Sequence, residues 1–196
     1  MSQDGEPLTE RIDDPEARFD GEVGRTSVYL ICDPDEKIAL VEEVLADLPE
    51  WFGRPEANRN YIESSKDLPV WGAFTEVGDI EIPVGFVALQ QTSPFTAEIF
   101  VIGIKQDFHR FGIGTQLVET VISHCQDKYL LLQVKTVQEG KYQVYDRTVA
   151  FYRSMGFIDL EVFPELWDPE TPCLVMVMPL EESSVSRRLC ADLMDQ

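Results

Sequence analysis

The sequence predicts an α/β fold: a mixed, mostly antiparallel sheet of about six or seven strands, with a central parallel βαβ pair and helices on both faces. Three observations carry this reading. Residues 97–104 are rich in β-branched and aromatic side chains, and a glycine-bearing turn then leads to Leu117, Val118, Val121, Ile122 and Cys125, which recur at helical spacing. Residues 129–134 form a nearly continuous apolar run, as expected of a buried strand returning parallel to its predecessor after a helical crossover. Residues 70–74 and 82–89 read as an antiparallel pair joined through Val77, Gly78 and Asp79.

Taken in order, residues 1–24 are rich in Asp, Glu, Pro and Gly without hydrophobic periodicity, so they are expected to be an acidic, flexible extension. Residues 27–32 are the first strand candidate. Asp33 can cap the helix that follows, Pro34 suits its first position and Glu36 completes a capping box. That helix places Ile38, Val41, Val44, Leu45 and Leu48 on one face and stops at Pro49. Trp51 and Phe52 follow in a loop, before a short helix through Ala57, Tyr61 and Ile62. Two adjacent aromatics there serve either as filler or as the wall of a substrate site. After the central βαβ unit come a polar loop at 138–143, a short helix at 146–154, a strand at 157–160 and a last strand at 174–178. Residues 163–167 read as a Pro-bounded loop exposing Phe163, Leu166 and Trp167. Residues 25–180 thus form one domain, and residues 181–196 a polar tail.

Composition narrows the function. With 36 acidic against 16 basic side chains, the formal charge of −20 disfavours nucleic acid and anionic membrane surfaces as partners. It favours cationic partners only weakly, since a well-solvated surface explains it equally. The charge would also suit a salt-rich cytoplasm, which a stability series in salt tests. The four cysteines, Cys32, Cys125, Cys173 and Cys190, include no C-x-x-C pair, so zinc and redox motifs are not expected. The first three are expected in apolar strands or on a helix face, as small hydrophobes. The polar N-terminus and the lack of a long apolar run predict a cytoplasmic location.

Between the central strand and helix lies Lys105-Gln106-Asp107-Phe108-His109-Arg110-Phe111-Gly112-Ile113-Gly114-Thr115. Gly112 and Gly114 let the backbone approach a ligand just where a helix start leaves its N–H groups unpaired, and the helix dipole adds partial positive charge. The stretch reads as a phosphate cradle.

Two separated segments give the chain its resemblance to a family. His109-Arg110-Phe111-Gly112-Ile113-Gly114 matches the phosphate-loop pattern of the GCN5-related N-acetyltransferases, and Phe151-Tyr152-Arg153-Ser154-Met155-Gly156-Phe157 matches that family's later aromatic-Tyr-x3-Gly-Phe pattern. The resemblance spans about residues 26–180 and implies the N-acetyltransferase fold. Three positions depart from the pattern: His109 stands for Gln or Arg, Gln106 for a frequent Pro, and Tyr145 for a frequent Asn.

What the resemblance implies is an acetyl-CoA-dependent transfer to a primary amine of a small molecule or peptide, with no metal. Ile102, Gly103 and Ile104 on the strand and Arg110, Phe111, Gly112, Ile113, Gly114 and Thr115 at the loop would hold the coenzyme. A backbone N–H at a bulge in the strand would stabilise the oxyanion, with Gly103 allowing the close approach. Tyr152 would protonate the departing thiolate. Strand alternation could aim Glu98 into the cleft as the base that takes the ammonium proton, or leave it on a solvent face. Trp51 and Phe52 would line the acceptor's site, and His109 is expected as a surface residue of the loop. Members of the family often pair through their C-terminal strands, so a homodimer is an expectation. The alternative reading is a coenzyme-binding module without transfer activity.

Overall fold

The computed structural model describes residues 24–77 and 80–180. The expected N-terminal extension, most of the turn at 77–79, the C-terminal tail and Cys190 lie outside them. Seven strands and four helices follow one another: β1 (Thr26–Ile31), α1 (Pro34–Ala46), α2 (Pro55–Ser65), β2 (Val70–Val77), β3 (Ile80–Ser93), β4 (Thr96–Ile104), α3 (Ile113–Cys125), β5 (Leu131–Val137), α4 (Gln143–Ser154), β6 (Ile158–Asp168) and β7 (Thr171–Pro179). The strands form one sheet in the order β1-β2-β3-β4-β5-β7-β6. All neighbours are antiparallel except β4 and β5, the pair joined by α3.

Alternation along β3 shows how the sheet is filled. Phe86 and Ala88 pack with Val41, Val44 and Leu45 of α1 on one face, while Val87 and Leu89 pack with Leu117, Val118 and Val121 of α3 on the other. Both faces are therefore covered, which is why the strand reads as an unbroken apolar run. Asp33 caps α1 as its sequence predicts, its Oδ1 accepting from the amides of Asp35 at 2.9 Å and Glu36 at 3.0 Å. The face of α1 differs in one respect. Lys37 is buried and donates through Nζ to the carbonyls of Leu68 at 2.7 Å and Lys66 at 3.3 Å, whereas Ile38 is only half-buried.

Two expectations are corrected. Residues 163–167 are not a loop but part of β6, the edge strand, where a missing N–H at Pro164 is tolerated and the register with β7 breaks between Phe163 and Asp168. Cys32 is exposed just beyond β1, while Cys125 and Cys173 are buried and burial pushes both thiols up to about 11.

Candidate active site

The site begins where the sheet splits. β4 and β5 pair only from Thr96 with Leu131 to Ile99 with Val134, and beyond that point the two strands part. On its other edge β4 holds one extra residue at the same level. Leu89 pairs with Ile99 and Ala88 with Val101, so Phe100 is a bulge. Gly103, by contrast, pairs regularly with Phe86, and a Cβ there would meet Leu48 at 3.1 Å and Val44 and Phe86 at 3.2 Å. Its glycine serves the packing of α1 rather than the bulge, which corrects the sequence-based assignment.

The fork opens into a cleft of about 870 Å³, enough for an extended cofactor arm and a small second ligand. One mouth is the glycine loop. Gly112 caps α3 in a left-handed conformation (φ 78°) with no side-chain cap, and the amide of Gln116 is the first to find a helical acceptor, the Gly112 carbonyl at 3.0 Å. The amides of Ile113, Gly114 and Thr115 are left without helical partners. The first turns of α1, α2 and α4 each carry an acid, Asp35 and Glu36, Glu56, and Asp146, but α3 has none. In so acidic a chain this leaves the positive end of α3 free for an outside anion. A Cβ on Gly112 would meet no atom beyond its chain neighbours within 4 Å, so it would face open space, and Gly112 lines the cleft. Arg110 is also left-handed (φ 68°) and lines the cleft with the glycines. The Phe111 side chain does not line the cleft and is 44% exposed.

The three departures from the family pattern converge on the loop between α1 and α2. Gln106 donates its backbone N–H to Asp47 Oδ2 at 2.7 Å and its side-chain amide to the Asp47 carbonyl at 2.6 Å; a proline could make neither bond. His109 is half-buried rather than a surface residue. Its Nε2 donates to the Ile104 carbonyl at 2.7 Å, and its ring meets the edge of Trp51 with centroids 5.5 Å apart. Tyr145 reaches from α4 and donates its hydroxyl to the Trp51 carbonyl at 2.8 Å. Trp51 is thus strapped to the coenzyme-type loop on one side and to α4 on the other.

Tyr152 lies on α4 beside the fork, 3% exposed, between Phe151 and Phe157. It lines the cleft, its hydroxyl makes no hydrogen bond among the described residues, and burial pushes its pKa well above the usual phenol range. Such a hydroxyl stays protonated and has its donor free. Glu98 is placed differently from its expected position. It is buried, does not line the cleft, and receives Lys135 Nζ at 2.8 and 3.2 Å together with the side-chain amide of Gln133. Those bonds turn its side chain to Lys135 and Gln133, so it is not a base open to the cleft.

Trp51 and Phe52 do overhang the cleft. Tyr61 of α2 extends their wall, edge-on to Phe52 at 5.9 Å and to Phe100 at 5.3 Å, so three rings run from the loop down to the bulge. Burial raises the Tyr61 pKa, with Glu98 and Cys173 adding to it. Tyr61 and Lys135 were not expected at the site, and no pattern near them in sequence reveals that α2 and β5 bring them there.

Comparison with known proteins decides the family. Residues 37–157 match the model of the Acetyltransferase (GNAT) family. The chain belongs to that family. Among solved structures, a candidate GNAT acetyltransferase from Desulfovibrio desulfuricans superposes with a TM-score of 0.67 at 15% identity, covering 80% of this chain and 99% of that one. A GNAT acetyltransferase from Elizabethkingia anophelis with acetyl-CoA bound gives 0.54 at 20% identity, covering 79% and 98%. The ribosomal-protein-S18-alanine N-acetyltransferase from Escherichia coli gives 0.61 at 15%, covering 81% and 96%. At these identities the likeness is one of fold. No curated protein is significantly similar to the chain in sequence. In this GNAT chain, no helix among the described residues is long and apolar enough to cross a membrane, and no group of three or more His, Cys, Asp or Glu among them could hold a metal.

Proposed function

We propose that the chain is an acetyl-CoA-dependent N-acetyltransferase that transfers an acetyl group to a primary amine by direct attack on the thioester. The observation that carries this is the fork itself: uncapped α3 amides stand at one mouth, and an unpartnered, protonated Tyr152 hydroxyl lies beside its depth. When bound, acetyl-CoA supplies an activated acyl group on a thiol leaving group. Ile113, Gly114 and Thr115 would hold its pyrophosphate through backbone N–H groups, with Arg110 adding charge. Ile102, Gly103 and Ile104, on the stretch of β4 that β5 no longer pairs, would orient its extended arm. The bulge at Phe100 is the place in β4 where a backbone amide can turn toward the acetyl carbonyl oxygen.

Tyr152 would donate its proton to the sulfur as the bond to the acetyl carbon breaks, so that a neutral thiol leaves, and the proton that the amine nitrogen sheds as the amide forms would return the Tyr152 oxygen to its neutral state. The amine attacks in its neutral form, and the cations lining the cleft favour that form over ammonium. Trp51 and Phe52 face the acceptor. Calorimetry with acetyl-CoA and a thiol-release assay over a panel of amines test this reading. Coenzyme binding together with turnover of an amine supports it. Coenzyme binding without turnover of any amine would make the chain a sensor or partner subunit.

A further inference from the structure

In a chain whose acids outnumber its bases by 36 to 16, the cleft reverses the balance: Arg54, Arg110, Lys135 and Arg147 line it against Glu50 alone. The acidity of the protein therefore lies elsewhere on its surface and does not describe the substrate. Arg110 stands at the glycine loop, where it suits coenzyme phosphates, and neither it nor Arg147 makes an ion pair among the described residues. The acceptor end is different. There Arg54 is paired with Asp168 and Lys135 with Glu98, and neither acid reaches the lining. Aromatic rings form a wall of that end, the Phe52–Tyr61–Phe100 run descending to the bulge, with Trp167 also lining the cleft.

Resting on the transferase reading, we infer that the acceptor is an amine with a single ionisable nitrogen on an apolar, aromatic body, and that the cleft rejects polyamines by charge. A second ammonium entering this end meets Lys135 at the fork and Arg54 at the rim, with no unpaired carboxylate beyond Glu50 to receive it. An aromatic body finds ring edges and faces over the whole descent from loop to bulge. Lys135 occupies the step of β5 just past the Ile99–Val134 pair, beside Phe100, so its charge acts where the attacking nitrogen must lose its proton. There it selects a neutral amine.

The test compares 2-phenylethylamine, propylamine and spermidine in a thiol-release assay, with acetyl-CoA binding measured separately by calorimetry. The expected kcat/KM for 2-phenylethylamine exceeds that for spermidine by about a hundredfold, the scale of like-charge rejection. It exceeds that for propylamine by about tenfold, the scale of pocket discrimination between apolar groups. Arg54→Glu, at a side chain 61% exposed on the rim, should raise kcat/KM for spermidine. Phe52→Ala should lower the rate on 2-phenylethylamine more than on propylamine. Spermidine equal to or better than the aromatic amine overturns the inference, and so does an Arg54→Glu variant with unchanged spermidine use. Turnover of neither monoamine by a protein that binds acetyl-CoA overturns it as well. Absence of acetyl-CoA binding would instead remove the transferase reading beneath it.

Discussion

Replacing Gly112 by Leu separates the phosphate cradle from the stability of the fold. At φ 78° a residue with a Cβ costs about 1–2 kcal/mol in the left-handed region. No atom beyond its chain neighbours lies within 4 Å of that Cβ, so no clash adds to the strain. For a domain of this size the melting temperature should fall by about 2–4 °C per kcal/mol. Gly112 lines the cleft together with Ile113, Gly114 and Thr115, so the Leu side chain is expected to compete there with a phosphate bound at their amides. Charge-assisted bonds to such amides contribute about 1.5–3 kcal/mol each, so losing two of them should weaken acetyl-CoA binding by at least about a hundredfold. Calorimetry reads the affinity and thermal unfolding the stability. Gly112→Asn is the companion, because Asn tolerates the left-handed conformation; it should keep the stability and still lose affinity. A Leu variant with the expected drop in melting temperature and unchanged coenzyme affinity would show that the loop does not hold the phosphates.

Tyr152→Phe should lower kcat by about a hundredfold, the lower range for general acid catalysis, with acetyl-CoA affinity unchanged; an unaltered kcat removes Tyr152 from the mechanism. Tyr145→Phe releases the Trp51 carbonyl, so KM for the amine should rise severalfold while KM for acetyl-CoA stays put, and equal changes in both would show that the strap serves the coenzyme instead. The imidazole of His124 is held below its usual pKa by burial, with Lys128 adding to the effect. The unfolded chain takes up that proton at about pH 6.5 and the folded chain does not. Stability should therefore fall as pH drops below that value, a slope that His124→Gln should reduce in urea titrations at several pH values. The same slope in the variant would assign it to other groups.

Much of the fold was legible because its signals are local. The Asp33–Pro34 start of α1, the apolar stripe of α3 and the unbroken run of β3 each follow from nearest neighbours along the chain. From sequence β6 ends too early because Pro164 interrupts it as a loop would, and only its place at the sheet edge makes an extended strand acceptable there. The burial of Lys37 has no local signal, since nothing nearby in sequence reveals the carbonyls of Lys66 and Leu68 that receive it.

The site divides along the same line. By itself the sequence determined the family, through its two motif segments, and the loop, because a helix start leaves amides unpaired whatever surrounds them. It also singled out Tyr152 and the aromatic pair Trp51 and Phe52. Tertiary structure alone decided that Glu98 turns to Lys135 and away from the cleft, that the bulge falls at Phe100 and not Gly103, and that Gln106, His109 and Tyr145 all secure one loop. It also decided the sign of the cleft, positive within a strongly negative chain. A side chain's partner, and the charge of a surface assembled from distant segments, depend on contacts between residues far apart in sequence, and no local pattern records them.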